Sequence, residues 1–244
     1  MKFLPALLAL PIALGLGACK STDPDEAAAA GAGSVRQMNM DHDTVHLRIE
    51  VNKKIKTVVI QLDPSAAPQT VANFKKLVAS GFYKGLAFHR VIPNYLVQTG
   101  DPGSKGFRGK GKWGLGGPGY TVPPEIGKKH VRGSVAMARL GDDVNPGRES
   151  NGSQFYIALA PLPALDGKYT VFGEVVSGLE VLDEMARVST DVNDIPTRRT
   201  EVYDMRLVRP EAPIARPQPA QHGASAKPVD PDAGAVKRAV QRFW

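Results

Sequence analysis

The chain has 244 residues, 42 % of them hydrophobic, which is enough for one sizeable core and so for one folded domain with extensions. Its formal charge of +7, from 31 basic and 24 acidic residues, is mild and contains no concentrated basic stripe, so it reads as solubilising surface charge and excludes a nucleic-acid binder. The single cysteine, Cys19, excludes an internal disulfide framework and any multi-cysteine metal site.

The chain opens with Met1-Lys2 and then FLPALLALPIALGLGA. This is a charged start and an apolar segment, too short and too broken by Pro5 and Pro11 for a membrane span, with a small-residue exit. Residues 1–18 therefore read as a signal peptide. The tetrapeptide Leu16-Gly17-Ala18-Cys19 resembles a bacterial lipobox. That resemblance implies cleavage before Cys19, acylation of its thiol and new amine, and a chain held in the bacterial cell envelope by lipid, facing the periplasm or the exterior. Residues 19–42 continue as KSTDPDEAAAAGAGSVRQMNMDH after the cysteine; Ala/Gly-rich and without period, they read as a flexible tether.

The folded unit spans residues 43–209. Val45, Leu47, Ile49 and Val51 alternate, as do Val58, Ile60 and Leu62, predicting two half-buried strands joined through Asn52-Lys53. Pro68 opens a helix with Val71, Phe74, Leu77 and Val78 on one face, and Gly81 is placed to stop it. Strand-like stretches follow near 86–92, 95–100, 132–138, 153–159 and 170–176. A second helix fits Leu179 to Val188, and a last strand fits Glu201 to Val208. The strands are not interleaved with helices as a parallel sheet requires. The pattern predicts a mainly β fold, a closed eight-stranded antiparallel barrel capped by two helices, because closure removes exposed edges. Residues 210–244, dense in Pro and Ala, read as a disordered tail.

Two lures fall away. Gly109-Lys110-Gly111-Lys112-Trp113-Gly114 matches GxGxxG, but Pro118, Pro123 and Pro124 follow, and no helix N-terminus is there to receive a phosphate. His42 and His46 with Asp41 and Asp43 lie at a strand start, where a period of two gives no helical i, i+4 pair; no metal is expected. Ser153 and His89 have no triad partner at a motif spacing.

The remaining signals lie in three separated stretches: Phe88-His89-Arg90-Val91-Ile92-Pro93 running on to Gln98 and Asp101, Asn151-Gly152-Ser153-Gln154-Phe155, and Leu165-Asp166-Gly167-Lys168 leading into Val171-Phe172-Gly173. Together, in this order, they resemble the cyclophilin peptidyl-prolyl isomerases over roughly Val45 to Val208. The resemblance implies a groove on the outer face of the barrel, proline-containing polypeptides as substrate, no cofactor and a monomer. It makes Arg90 the catalytic donor with Gln98 beside it. Tyr95, Leu96, Met137 (as a floor), Tyr156 and Leu165 form the proline pocket, and Ala138, Arg139, Gln154 and Tyr169 border the peptide. It gives His89 a structural place inside the barrel, and the period of two agrees, since His89 must face opposite to Arg90.

An isomerase of this kind needs no nucleophile. The X–Pro amide turns slowly, over a barrier of ~20 kcal/mol, because its C–N bond is partly double. In the twisted state the prolyl nitrogen regains a lone pair, and a rigid guanidinium aimed at it stabilises that state more than the planar one. The sequence departs from the family pattern where pocket phenylalanines become Tyr95 and Tyr156, a methionine becomes Leu96, a groove asparagine becomes Arg139, a tryptophan becomes Ala164 and a histidine becomes Tyr169. The expected activity is X–Pro isomerisation that assists folding of exported or envelope proteins. The alternative is a non-catalytic proline-peptide binding module or holdase on the same barrel.

Overall fold

The computed structural model describes residues 42–106 and 110–209. The signal peptide, Cys19, nearly all of its tether and the 210–244 tail lie outside the described residues. Eight strands and two helices occur in the order β1 (Thr44–Val51), β2 (Lys54–Leu62), α1 (Pro68–Ala79), β3 (Arg90–Ile92), β4 (Leu96–Thr99), β5 (Ser134–Met137), β6 (Phe155–Ala158), β7 (Val171–Ser177), α2 (Leu179–Ala186) and β8 (Glu201–Val208).

The β1–β2 hairpin turns on Asn52 and Lys53, both at positive φ (52° and 63°), the backbone of a type I′ turn that matches the twist of the strands. Alternation does the rest: Val45, Leu47, Ile49, Val58 and Ile60 are all fully buried on one face. Helix α1 begins with Pro68 in its first turn and ends in a Schellman motif, where Phe82 N donates to Leu77 O and Gly81 N to Val78 O. Gly81 supplies the left-handed residue that this motif needs, at φ 72°. Helix α2 stops at Ala186, two residues short of the predicted Val188.

All pairings are antiparallel, in the strand order β3-β4-β6-β5-β7-β2-β1-β8. The sheet curls but does not close, which corrects the expectation of a closed barrel. Its two end strands, β3 and β8, form no ladder. The residues just before β3 reach β8 instead, through Gly85 N to Val202 O (2.8 Å), Val202 N to Leu86 O (2.9 Å) and one bridge between Ala87 and Glu201. Strand β3 itself then diverges, and its Val91 N donates to Asp194 O in the loop before β8. A loop carbonyl covers the edge that a neighbouring strand would have covered.

Two apolar clusters use opposite faces of the same strands. Val97, Val135, Phe155 and Ile157 join the main core, with Phe74 of α1 and Leu182 and Met185 of α2. Leu96, Ala136, Tyr156 and Ala158, their neighbours in the chain, belong to a second cluster on the other face. Most of the candidate site residues singled out from the sequence gather at or beside this outer cluster.

Candidate active site

Register decides which side chains meet. Arg90 pairs with Gln98, Gln98 with Tyr156, and Tyr156 with Ala136, so four strands lay one row across the outer face. Beside it, Ile92 pairs with Leu96 and Leu96 with Ala158. The second cluster comprises these apolar residues with Tyr95, Ala138, Leu162, Leu165, Tyr169 and Val171.

Arg90 is only 2 % exposed. A chain of carboxamides orients it: Gln98 Oε1 accepts from Arg90 Nη1 at 3.5 Å, Gln98 Nε2 donates to Gln154 Oε1 at 2.9 Å, and Gln154 Nε2 donates to the carbonyls of Gly114 (2.9 Å) and Gly116 (2.6 Å). The loop carrying those carbonyls is fixed by Asp101, whose buried carboxylate accepts from Gly103 N and Gly114 N. Gly116 passes so close that a Cβ there would lie 2.2 Å from Asp101 Oδ1. Opposite, Asp194 Oδ2 stands 3.9 Å from Arg90 Nε. Burial pulls the guanidinium pKa down and Asp194 opposes the shift. An arginine so placed keeps its charge at neutral pH.

Tyr95 and Tyr156, both in this cluster, differ. Tyr156 OH lies 2.8 Å from His130 Nε2, and His130 Nδ1 lies 3.0 Å from Asp166 Oδ1, which also accepts from the His130 backbone N–H at 2.8 Å. A buried imidazole, oriented by a carboxylate, thus fixes the hydroxyl. Burial lowers the His130 pKa, with Asp166 opposing, and raises that of Tyr156 well above the usual phenol range. Tyr95 is 5 % exposed, and its hydroxyl has no hydrogen-bond partner among the described residues.

Arg139 is occupied within the protein. Its Nε donates to Lys168 O (2.8 Å), its Nη1 to Leu140 O (2.8 Å), its Nη2 pairs with Asp142 (2.6 Å), and its guanidinium lies 4.6 Å above the Tyr169 ring. Burial raises the Tyr169 hydroxyl to about 12, with Arg139 opposing. Arg139 therefore ties the 140–150 loop to the turn that carries Leu165 and Tyr169.

Of the residues singled out from sequence, Arg90, Gln98, Tyr95, Leu96, Tyr156, Ala138, Leu165, Tyr169, Gln154 and Arg139 meet at or beside this cluster. Met137 does not. It pairs with Phe155 and packs in the main core, so the expectation that it floors the pocket is corrected: register turns it to the inner face. His130 and Asp194 were missed and Asp101, though part of the first motif, was given no role, because each stands in irregular chain where no period marks a face. An open cleft of about 420 Å³ between the end of α1 and β8, lined by Val78, Lys84, Asp204 and Arg206 among others, shares no residue with the site.

A curled antiparallel sheet with two helices carries a buried, pre-oriented arginine beside an apolar outer-face cluster. The profile of the family described as cyclophilin type peptidyl-prolyl cis-trans isomerase/CLD matches residues 46–207, and the chain belongs to that family. It is 44 % identical over 146 residues to peptidyl-prolyl cis-trans isomerase B of Bacillus subtilis, covering 59 % of this chain and 90 % of that one. It is 40 % identical over 163 residues to peptidyl-prolyl cis-trans isomerase-like 2 of Gibberella zeae, covering 66 % of this chain but only 26 % of that longer protein. A cyclophilin type isomerase of Cryptosporidium parvum, crystallised in the presence of the dipeptide Ala-Pro, superposes with a TM-score of 0.59 and 29 % identity, over 68 % of this chain and 99 % of its own.

Proposed function

We propose that this cyclophilin-type isomerase acts as a monomer on X–Pro bonds of exported or envelope polypeptides, held at the membrane of a bacterial envelope by acylated Cys19. The observation that carries the catalytic part is Arg90: a guanidinium 2 % exposed, facing away from the main core, and aligned by Gln98 and Gln154 next to the outer cluster. Proline packs against Leu96, Tyr156 and Leu165. As the amide twists, the prolyl nitrogen pyramidalises and Arg90 donates to its lone pair. The planar ground state offers no such lone pair, so the interaction lowers the barrier without tightening the substrate equally. The guanidinium is oriented before the substrate arrives, so little reorganisation accompanies the step.

Exchange spectroscopy on an Ala-Pro peptide tests this. Arg90→Ala is expected to lower the isomerisation rate by about 100-fold, the size seen when one pre-oriented donor is removed from a dry site. Unchanged turnover would overturn the assignment. Retained peptide binding with no turnover in the wild type would instead favour a holdase. The export and anchoring part rests on residues 1–42 of the sequence, with the cysteine at the single position a lipobox requires.

A further inference from the structure

The outer cluster contains two tyrosines whose hydroxyls are treated differently by the protein. Tyr156 OH is satisfied by His130, which Asp166 orients. Tyr95 OH is buried, and no group among the described residues bonds it. A buried hydroxyl without a partner costs stability, and a phenylalanine of the same shape avoids that cost. Tyr95 is nevertheless kept in the outer cluster with Tyr156 and Tyr169, in the turn that follows the strand of Arg90. Its backbone is anchored on both sides, with Tyr95 N donating to Ile92 O (3.1 Å) and Tyr95 O accepting from Leu159 N (2.8 Å), so the ring is presented at a fixed place between β3 and β4.

The chemistry of the substrate identifies the partner. Proline has no backbone N–H, so the prolyl residue in the pocket offers a carbonyl oxygen and no backbone donor. A hydroxyl left free there acts as the donor. We propose that Tyr95 OH is a substrate-binding donor, giving a hydrogen bond to a carbonyl oxygen of the X–Pro unit while Arg90 serves the prolyl nitrogen. The inference rests on the isomerase reading of this site and adds to it a polar contact that an apolar side chain at position 95 cannot make. Because the contact is made to planar and twisted substrate alike, it belongs to binding and not to the barrier.

The test compares the wild type with Tyr95→Phe, by NMR titration of an Ala-Pro tetrapeptide for Kd, by exchange spectroscopy for the rate on bound peptide, and by thermal unfolding. The expected result is a Kd raised about fivefold, the worth of one hydrogen bond, with the bound-state rate held. The Tm is expected unchanged or higher by about 2 °C, since the variant removes an unpaired polar group. Tyr156→Phe is expected to move the Tm the other way, because it strands His130. A Kd for Tyr95→Phe within twofold of wild type overturns the proposal, and so does a fall in its Tm, which would reveal a partner inside the protein. A wild type that binds the peptide but does not turn it over removes the catalytic reading while leaving the Kd comparison valid. A wild type that does not bind the peptide overturns both.

Discussion

His89 and Arg90 are adjacent in the chain and have opposite fates. The pleat sends Arg90 to the outer cluster and His89 inward, 4 % exposed. Burial lowers the His89 pKa to about 4 from 6.5, the neighbouring Arg90 charge adds to the fall, and Asp101 opposes it. Between pH 6.5 and 4 the unfolded chain binds a proton at this histidine that the native protein refuses, so stability falls as pH is lowered through that window and is fully present above it. His130 shifts in the same direction. The carboxylates whose pKa values are lowered, such as Asp166 and Asp142, release their share only below the ordinary carboxylate range. A Tm series from pH 8 to 4 is therefore expected to drop before the acids titrate, and His89→Gln is expected to flatten that drop. A wild-type Tm level from pH 6.5 to 4.5 would contradict this.

Helix α1 shows what elements disclose in sequence and what they hide. Its C-terminus is legible, because Gly81 follows the last apolar repeat and only a left-handed residue closes the Schellman turn. Its N-terminus is half legible: Pro68 marks the start, but Ala67 has no side chain to cap it. The cap comes from Glu125, whose carboxylate accepts from Gln69 N (2.9 Å) and Thr70 N (2.8 Å) across more than fifty residues of chain. Glu125→Ala is expected to cost about 1 kcal/mol and lower the Tm by about 3 °C in thermal unfolding, through two freed N–H groups and a lost charge at the helix dipole. An unchanged Tm would show that water caps the helix equally well. The strands divide in the same way. β1 and β2 announce their inner faces because one face is partly solvated, with alternating burial in β1. β4, β5 and β6 are buried on both faces, so Met137 cannot be told from Ala136 or Ala138 by pattern, and only the pairing with Phe155 places it. The open sheet was hidden for a related reason. Closure depends on which loop group reaches Val91 N, and no period in the chain encodes that.

At the scale of the whole molecule, one sheet serves two cores. The inner face of β4, β5 and β6 holds the main core, and the outer face holds the second cluster beside Arg90, so each strand fixes both at once. The family match covers residues 46–207, and the first and last stretches of sequence lie outside it. Among them, Cys19 is the one cysteine in 244 residues, and it stands directly after Leu16-Gly17-Ala18. A single acyl chain binds a membrane only marginally, whereas the several chains that lipobox processing adds hold a protein there stably. Expressed in a bacterium with that processing machinery, the mature protein is expected to begin at Cys19, to carry the mass of its acyl groups, and to sediment with membranes until detergent is added. Cys19→Ser is expected to shift it to the soluble fraction while its rate on an Ala-Pro peptide stays at the wild-type value, because Arg90, Gln98 and their supports all lie within the matched region. An intact Met1 or a cut at another residue in the purified protein would remove the anchor from this account and leave the isomerase site as it is.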